Sequence, residues 1–304
     1  MNGVRMGTFG FQKSLAVGMQ KAQDQAALSQ LQLATGKKYH AYSEMGTDLR
    51  PTLNARSVME NEKKYGAVSD RVGQVLDRYA SGLSGLYDQV RQLQDLVGSG
   101  IANGEIYGLR SAMEATFATL NQTTNMTQGG EYLMSGLSVN VRPFTPNSLS
   151  DLLALPTSDD AFVNSEAPLT ARVSEGHDLA YGLKARDVGK PVADMLFEID
   201  NLGPIDGRLT DAQKDQLKGV LEKLKLLSDG IAEQEATNGY RQEQVETFAK
   251  QSVARENQLQ KFIVDAEDVD PAEILTRLAN EKLALEASYQ AFSMFREMSL
   301  THYL

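Results

Sequence analysis

Apolar residues recur at helical spacing at both ends of the chain. From Leu15 to Leu33 an apolar or small residue follows at every third or fourth position, and Gly36 stands where a left-handed cap would end a helix. The spacing predicts an amphipathic helix whose apolar face is built from rather small side chains. That face comprises Leu15, Met19, Ala22, Ala26, Ser29 and Leu33.

The most regular pattern lies between residues 58 and 97, where two interleaved sets of residues repeat every seven positions. Such a repeat predicts a long helix packed in a bundle or coiled coil. Four glycines lie inside it, and each costs roughly 1 kcal/mol against alanine, so partner helices must hold the segment. We expect the seam of the helical core to contain Tyr65, Val72, Leu76, Tyr79, Leu83, Leu86, Val90 and Leu93.

The middle of the chain changes character twice. Glycines at 98, 100 and 104 predict a reversal into a shorter helix that ends near Leu120. Between residues 129 and 180 the helical periodicity is lost, and four of the eight prolines fall there. This segment is predicted to form short strands and turns in a small insertion.

Helical spacing returns near Val192 and dominates the rest of the chain. Thr210 and Gln213 fit a capping box at the start of a helix of nearly 50 residues. Asp270, Pro271 and Glu273 have the types expected at the start of the last helix. The apolar face of that helix carries Leu275, Leu278, Leu285, Tyr289, Phe292 and Phe295.

The order of these elements places helices at both ends around a helical middle that the insertion interrupts. We expect the first and last helices to pair, because this order brings the termini together. A lone pair with such faces buries too little surface to offset backbone ordering, which costs about 1 to 2 kcal/mol per residue. Neighbouring subunits are therefore expected to complete the burial of these helices.

Composition narrows the class of protein. The 304 residues carry a net charge of −10, with a sequence pI near 4.9, which argues against nucleic-acid binding. The chain has no cysteine, so disulfides, thiolate zinc sites and a cysteine nucleophile are excluded. No apolar run resembles a signal peptide or spans a bilayer, so we expect any export to follow another route.

Motifs for catalysis or metal binding are weak. The three histidines, His40, His177 and His302, are scattered without metal-ligand spacing, and no phosphate loop or nucleophile elbow is present. The acidic residues at 265, 267, 268 and 270 resemble a calcium loop, but the central glycine is missing, so helix capping and a hinge are favoured. We predict no enzyme activity, catalytic residue, metal or cofactor, and the remaining signal is association through amphipathic faces.

Five segments in order resemble the flagellin and hook-associated axial proteins of bacterial flagella. The form QLATGKK at 32–38 is closer to the hook-associated members than to flagellin, whereas the family's DDP after the first helix is replaced by SEMGTD at 43–48. The other four matches are GEYLMSG at 130–136 with Pro143 and Phe144, YGLKARD at 181–187, NGYRQ at 238–242, and the end of the chain with EDVD at 267–270, LEASY at 285–289 and MSLTHYL at 298–304.

The resemblance implies a mainly α, nested architecture with a small β-rich insertion. Residues 1–42 and 266–304 would form an inner coiled coil, 43–140 and 182–265 a long-helix bundle, and 141–181 an outer insertion. It also implies export through the flagellar type III apparatus without a cleaved signal, and an extracellular location. The implied partners are further copies of the chain, the other hook-filament junction protein, flagellin and an export chaperone.

The function implied is that of a structural adaptor between hook and filament. We expect its assembly interface to contain Leu15, Met19, Ala22, Ala26, Leu33, Leu278, Leu285, Tyr289, Phe292 and Phe295. A flagellin with an unusually short outer domain is the alternative within the family. A secreted helical binding module and an enzyme are alternatives of other classes.

Overall fold

The computed structural model describes residues 3–163 and 165–301 and is mainly α-helical. This confirms the predicted fold class, long helices with a small β-containing insertion. The helices are α1 (Gly3–Thr35), α2 (Leu49–Asn103), α3 (Leu109–Thr124), α4 (Leu149–Leu153), α5 (Ala185–Asp200), α6 (Asp211–Glu267) and α7 (Pro271–Thr301). The strands are β1 (Glu105–Ile106), β2 (Thr127–Gln128), β3 (Glu131–Tyr132), β4 (Thr170–Ser174), β5 (His177–Ala180) and β6 (Gly207–Arg208).

The described chain divides into two compact units. The terminal unit takes the residues up to Glu60 and those from Arg255 onward, and the central unit takes Asn61–Ala254. Helices α2 and α6 therefore contribute residues to both units. The three-part division at residues 42, 140, 181 and 265 stays a prediction.

Helix α2 confirms the prediction from the seven-residue repeat and is longer than the repeat itself. It covers 55 residues and ends just before Gly104, whose φ of +75° is left-handed. A side chain at Gly104 would be strained there, so glycine permits the reversal. Strand β1 then pairs with β6 before α3 returns along the bundle.

The core of the central unit forms where α2, α3, α5 and α6 meet. Its largest fully buried side chains include Tyr79, Leu83 and Leu86 from α2 and Leu196 from α5. The Tyr79 hydroxyl donates a hydrogen bond of 2.6 Å to the Leu133 carbonyl, which satisfies a polar group inside this core. Burial raises the pKa of Tyr79 far above its ordinary value, so the hydroxyl stays protonated and remains a donor.

The insertion contains the predicted strands and also short helical elements that the sequence analysis did not predict. Strands β4 and β5 form an antiparallel hairpin with an irregularity between Arg172 and Ser174, and β2 pairs with β3. Helix α4 begins with a capping box between Ser148 and Asp151, and a 3-10 turn spans Ser158–Ala161. Five residues are too few to show helical periodicity, so a helix as short as α4 escapes that test.

A local signal sets the start of α6 as predicted. The backbone N–H of Gln213 donates to the Thr210 hydroxyl, and the Gln213 side chain accepts from the Thr210 N–H, which completes the capping box. The helix then continues for 57 residues, without a break at Asn238 and Gly239. Among the described residues, no helix is both long enough and apolar enough to cross a membrane.

Candidate assembly interface

The two terminal helices pack side by side and antiparallel in the terminal unit. Gly36, with φ of +70°, ends α1, and its carbonyl accepts a hydrogen bond of 3.0 Å from the Val269 N–H just before α7. Further along, the Gln23 side chain donates to the Tyr289 hydroxyl. The end of α1 therefore lies beside the start of α7, which confirms the predicted pairing of the first and last helices.

An ionic cluster holds the connection after α1 against α2 and the end of α6. Arg56 Nη2 lies 2.7 Å from Glu267 Oε1 and 2.6 Å from Oε2, and Lys37 Nζ lies 3.5 Å from Oε2. Lys37 also pairs with Asp268, and the Lys38 ammonium donates to the Asp265 carbonyl. Within the terminal unit, the cluster therefore joins the residues that follow α1 to α2 and to the end of α6.

The same acidic residues resemble a calcium loop in the sequence, and their contacts are those of an ionic cluster and a helix cap. Glu267 and Asp268 bind the lysine and arginine groups of the cluster, and Asp270 accepts from the Ala272 N–H at the start of α7. In the part of the chain that the structure describes, no group of three or more acidic or histidine side chains could hold a metal ion.

Hydrogen bonding controls the ionisation of this cluster. The bond from Arg56 lowers the pKa of Glu267 below its ordinary value of 4.5, against the opposing effect of burial. The bond to Asp268 raises the pKa of Lys37 above 10.5. Glu267 is 6% exposed, so its charge is stabilised by these partners rather than by water.

The predicted interface residues of α1 lie on the side that α7 covers. Ala26 is buried, and the other members of this face are half-buried, because α7 packs along it within the same chain. The half-buried members are Leu15, Met19, Ala22 and Leu33.

The predicted members from α7 follow a gradient of exposure. Leu278 is buried and Leu285 is half-buried, whereas Tyr289 and Phe292 are exposed. The side chain of Phe295 lies outside the described residues. Much of the predicted apolar face is thus covered by contacts inside one chain, and its role between chains stays a prediction.

A second apolar row, which the sequence analysis missed, lies on the opposite side of both terminal helices. Val17, Leu28, Leu31 and Leu283 each lie two positions from a residue of the covered face, or about 200° around the helix, and Met294 lies eleven residues after Leu283 on the same side. They are between 47% and 65% exposed. We call this set the outer row; it consists of Val17, Leu28, Leu31, Leu283 and Met294.

The outer row could have been found by testing each helix for two apolar faces instead of one. Apart from Leu28 and Leu31, its members are widely spaced, with Val17 eleven residues before Leu28 and Leu283 eleven before Met294, so the stronger 3–4 spacing of the covered face hides them. The covered face is also partly polar, since Ser29 and Gln32 are buried in it. One chain therefore leaves substantial apolar surface of its terminal helices in contact with water.

The predicted seam of the helical core lies inside the central unit. Seven of its eight members are buried, and Tyr65 is half-buried. The buried members are Val72, Leu76, Tyr79, Leu83, Leu86, Val90 and Leu93.

The histidines provide no catalytic grouping in the described residues. His40 is exposed, and His177 packs its ring against Phe248 with centroids 4.8 Å apart. His302 lies outside the described residues. Among the described residues, the exposed apolar surface of the terminal helices is the candidate for contact with a partner.

Comparisons with known proteins support the same architecture. No family model matches the chain, and no curated protein sequence matches it. Among solved structures, a protein assigned as a flagellar hook-associated protein of Vibrio parahaemolyticus matches with a TM-score of 0.59 and 13% identity, over 74% of this chain and 100% of that one. FlgL of Bacillus cereus matches with a TM-score of 0.51 and 18% identity, over 70% and 99% of the two chains. The chain therefore has the fold of these flagellar proteins.

Proposed function

We propose that this protein is a non-enzymatic structural adaptor of the bacterial flagellum, of the hook-associated protein 3 type, which joins the hook to the filament. Two independent lines support the proposal. The fold matches a hook-associated protein and an FlgL at nearly the full length of each. The ordered sequence motifs, above all GEYLMSG at 130–136, resemble the same group.

The observation that carries the mechanism is the exposed outer row. A single chain covers one face of its terminal helices and leaves Leu28 and Leu283 exposed on the other. Burying such residues is favourable by about 25 cal/mol per Å² of apolar surface, so a surface that covers them stabilises association. We propose that further copies of the chain supply this cover in an axial assembly, together with the exposed Tyr289 and Phe292 of α7.

The proposed partners follow from the junction role. On the hook side the protein would contact the other junction protein, and on the distal side flagellin. The chain would travel through the flagellar type III apparatus with an export chaperone, and a chain without cysteine suits passage in an unfolded state. The terminal unit would face the channel, and the insertion would face outward.

The position of the protein in an intact flagellum tests this function. The chain has no cysteine, so Asn140→Cys, at an exposed turn directly before the insertion, gives a single labelling site. A maleimide label should appear in one short zone between hook and filament. Label along the whole filament would support the flagellin alternative, and a flagellum without label would contradict an axial role.

A further inference from the structure

Two asparagines in the long helices are followed directly by glycine. Asn103 precedes Gly104 at the end of α2, and Asn238 precedes Gly239 inside α6. A third such pair, at positions 2 and 3, begins outside the described residues. An asparagine before glycine can react with its own main chain, because glycine has no side chain to shield its backbone nitrogen. The two described pairs share this chemistry and differ in their surroundings.

The reaction of such a pair needs only water as co-reactant. The backbone nitrogen of the glycine gives up its proton to water and attacks Cγ of the asparagine. The N–Cγ bond forms, the Cγ–Nδ2 bond breaks, and Nδ2 takes up a proton and leaves as ammonia, so a succinimide ring remains. Water then opens the ring at one of its two carbonyls. Opening at Cγ produces aspartate, and opening at the main-chain carbonyl produces isoaspartate, in which the chain continues through the side-chain carbon.

The position of Asn103 permits this attack in the folded protein. Asn103 is the last residue of α2, and it is exposed. Gly104 has a left-handed φ of +75°, so the helix does not continue past this peptide. The attack requires the ψ angle of Asn103 to leave the helical range, and at a helix end this disturbs the last turn alone. Fraying of this kind requires less free energy than opening a helix in its middle.

Asn238 carries the same chemical group in a protected setting. It is 0% exposed, and its Nδ2 donates a hydrogen bond of 2.9 Å to the Leu76 carbonyl. Helix α6 continues through Gly239 without a break. Attack by the Gly239 nitrogen would break this hydrogen bond and open α6 in its interior, so the folded structure should suppress the reaction at Asn238.

We propose that Asn103 is a site of spontaneous deamidation in the folded protein, where water converts the Asn103–Gly104 pair into an aspartate or isoaspartate linkage while Asn238 stays intact. The new carboxylate lies at the C-terminal end of α2, where the helix dipole disfavours negative charge. An isoaspartate also adds a carbon atom to the main chain directly before Gly104, whose carbonyl accepts a hydrogen bond of 2.9 Å from the Leu209 N–H. The modification therefore changes the turn between α2 and β1. The inference does not depend on the proposed flagellar function.

Peptide mapping by mass spectrometry tests the proposal on the full-length chain. The folded protein is kept in mildly alkaline buffer, and samples taken over time are digested briefly with trypsin. Cleavage after lysine and arginine places Asn103 in the peptide 92–110 and Asn238 in the peptide 226–241. The mass increase from amide to carboxyl should appear in 92–110 at least about tenfold faster than in 226–241. Equal rates in the two peptides, or no modification of 92–110, would overturn the proposal.

Unfolding the chain is the control for the role of structure. In concentrated guanidinium chloride both peptides should acquire the mass increase at similar rates, because the two Asn–Gly pairs are then both open to water. A ratio of rates that stayed the same after unfolding would show that neighbouring sequence sets the difference, and protection by the fold would be wrong.

Asn103→Gln is the matched variant. Glutamine at this exposed position has a longer side chain and must close a larger ring, which is a slower reaction. The mass increase should therefore disappear from 92–110, while the rate in 226–241 stays unchanged. A mass increase that persisted in 92–110 would place the reaction on Gln92 or Gln94 and would exclude Asn103 as the site.

Discussion

The guanidinium of Arg56 binds the carboxylate of Glu267 across 211 residues of sequence, with Nη2 within 2.7 Å of both carboxylate oxygens. Glu267 is the last residue of α6, and the backbone N–H of Lys38 donates to its carbonyl at 2.7 Å. One residue therefore ties α2, α6 and the segment after α1 together. This contact anchors the terminal helices at the end where α1 meets the start of α7.

Acid should weaken the terminal unit through Glu267. Its pKa is lower in the folded state than in the unfolded chain, so the folded state binds fewer protons in the acid range. The stabilisation is complete well above the ordinary pKa of 4.5 and is lost as the pH falls through the folded pKa. Urea titrations followed by circular dichroism at pH 7 and pH 4 should show an earlier transition at pH 4.

Glu267→Gln identifies the source of that pH dependence. The variant should be less stable than the natural chain at pH 7. The midpoint of its urea transition should also change less between pH 7 and pH 4 than the midpoint of the natural chain does. Glu273→Gln is the control, because Glu273 forms an exposed pair with Arg277. An unchanged pH dependence in Glu267→Gln would show that other groups control the acid response.

Removing the Tyr79 hydroxyl should destabilise the central unit. Tyr79→Phe removes the buried donor to the Leu133 carbonyl and should lower the free energy of unfolding by about 1 to 2 kcal/mol. Tyr240→Phe changes an exposed tyrosine and should have no measurable effect. Urea unfolding measures both, and equal effects would contradict a specific role for this hydrogen bond.

A cavity in the α2 seam should lower the free energy of unfolding more than the truncation of an exposed leucine. Leu83 is fully buried, so Leu83→Ala should lower the free energy of unfolding of the central unit by about 2 to 5 kcal/mol. Leu226 in α6 is exposed, and Leu226→Ala should change it by less than about 0.5 kcal/mol. A small effect at Leu83 would mean that the core around this seam is loosely packed.

Charges on the two faces of α1 should have different effects. Leu28→Asp on the outer row should prevent assembly while the monomer keeps its helix content, whereas Ala26→Asp should lower helix content by breaking the α1–α7 contact. Phe292→Asp should also block incorporation without destabilising the central unit. Gln30→Asp, at an exposed position of α1, is the control for charge alone.

Pelleting of assembled protein and circular dichroism of the monomer separate these effects. If Leu28→Asp assembled normally, the outer row would not be the surface between copies. If Ala26→Asp kept its helix content, the pairing of α1 with α7 would contribute little to the monomer.

Elements with local signals were predictable from the sequence. Gly36 ends α1, Thr210 and Gln213 cap α6, and Asp270 starts α7, because each signal involves residues within a few positions of one another. The seven-residue repeat likewise predicted α2. The repeat is visible in the sequence because one face of α2 is buried along most of the length of the helix.

The order of the elements predicted that α1 and α7 pair, but the individual contacts between distant segments were not predictable. The apolar spacing of α1 shows that a face exists, but whether α7 or another chain covers it depends on contacts more than 200 residues away. The same holds for Arg56 and Glu267, whose charges look like ordinary surface residues in the sequence. The helical turns of the insertion were missed because they are held by caps and by Phe144 packed between Phe117 and Phe162, not by periodicity.

Seeded assembly of the purified protein tests the central claim most directly. Hook fragments that carry the other junction protein would be mixed with the full-length chain and viewed by electron microscopy. The account predicts a short collar that stops growing and that then accepts flagellin. Long filaments of this protein alone, or no addition to the hook end, would contradict it.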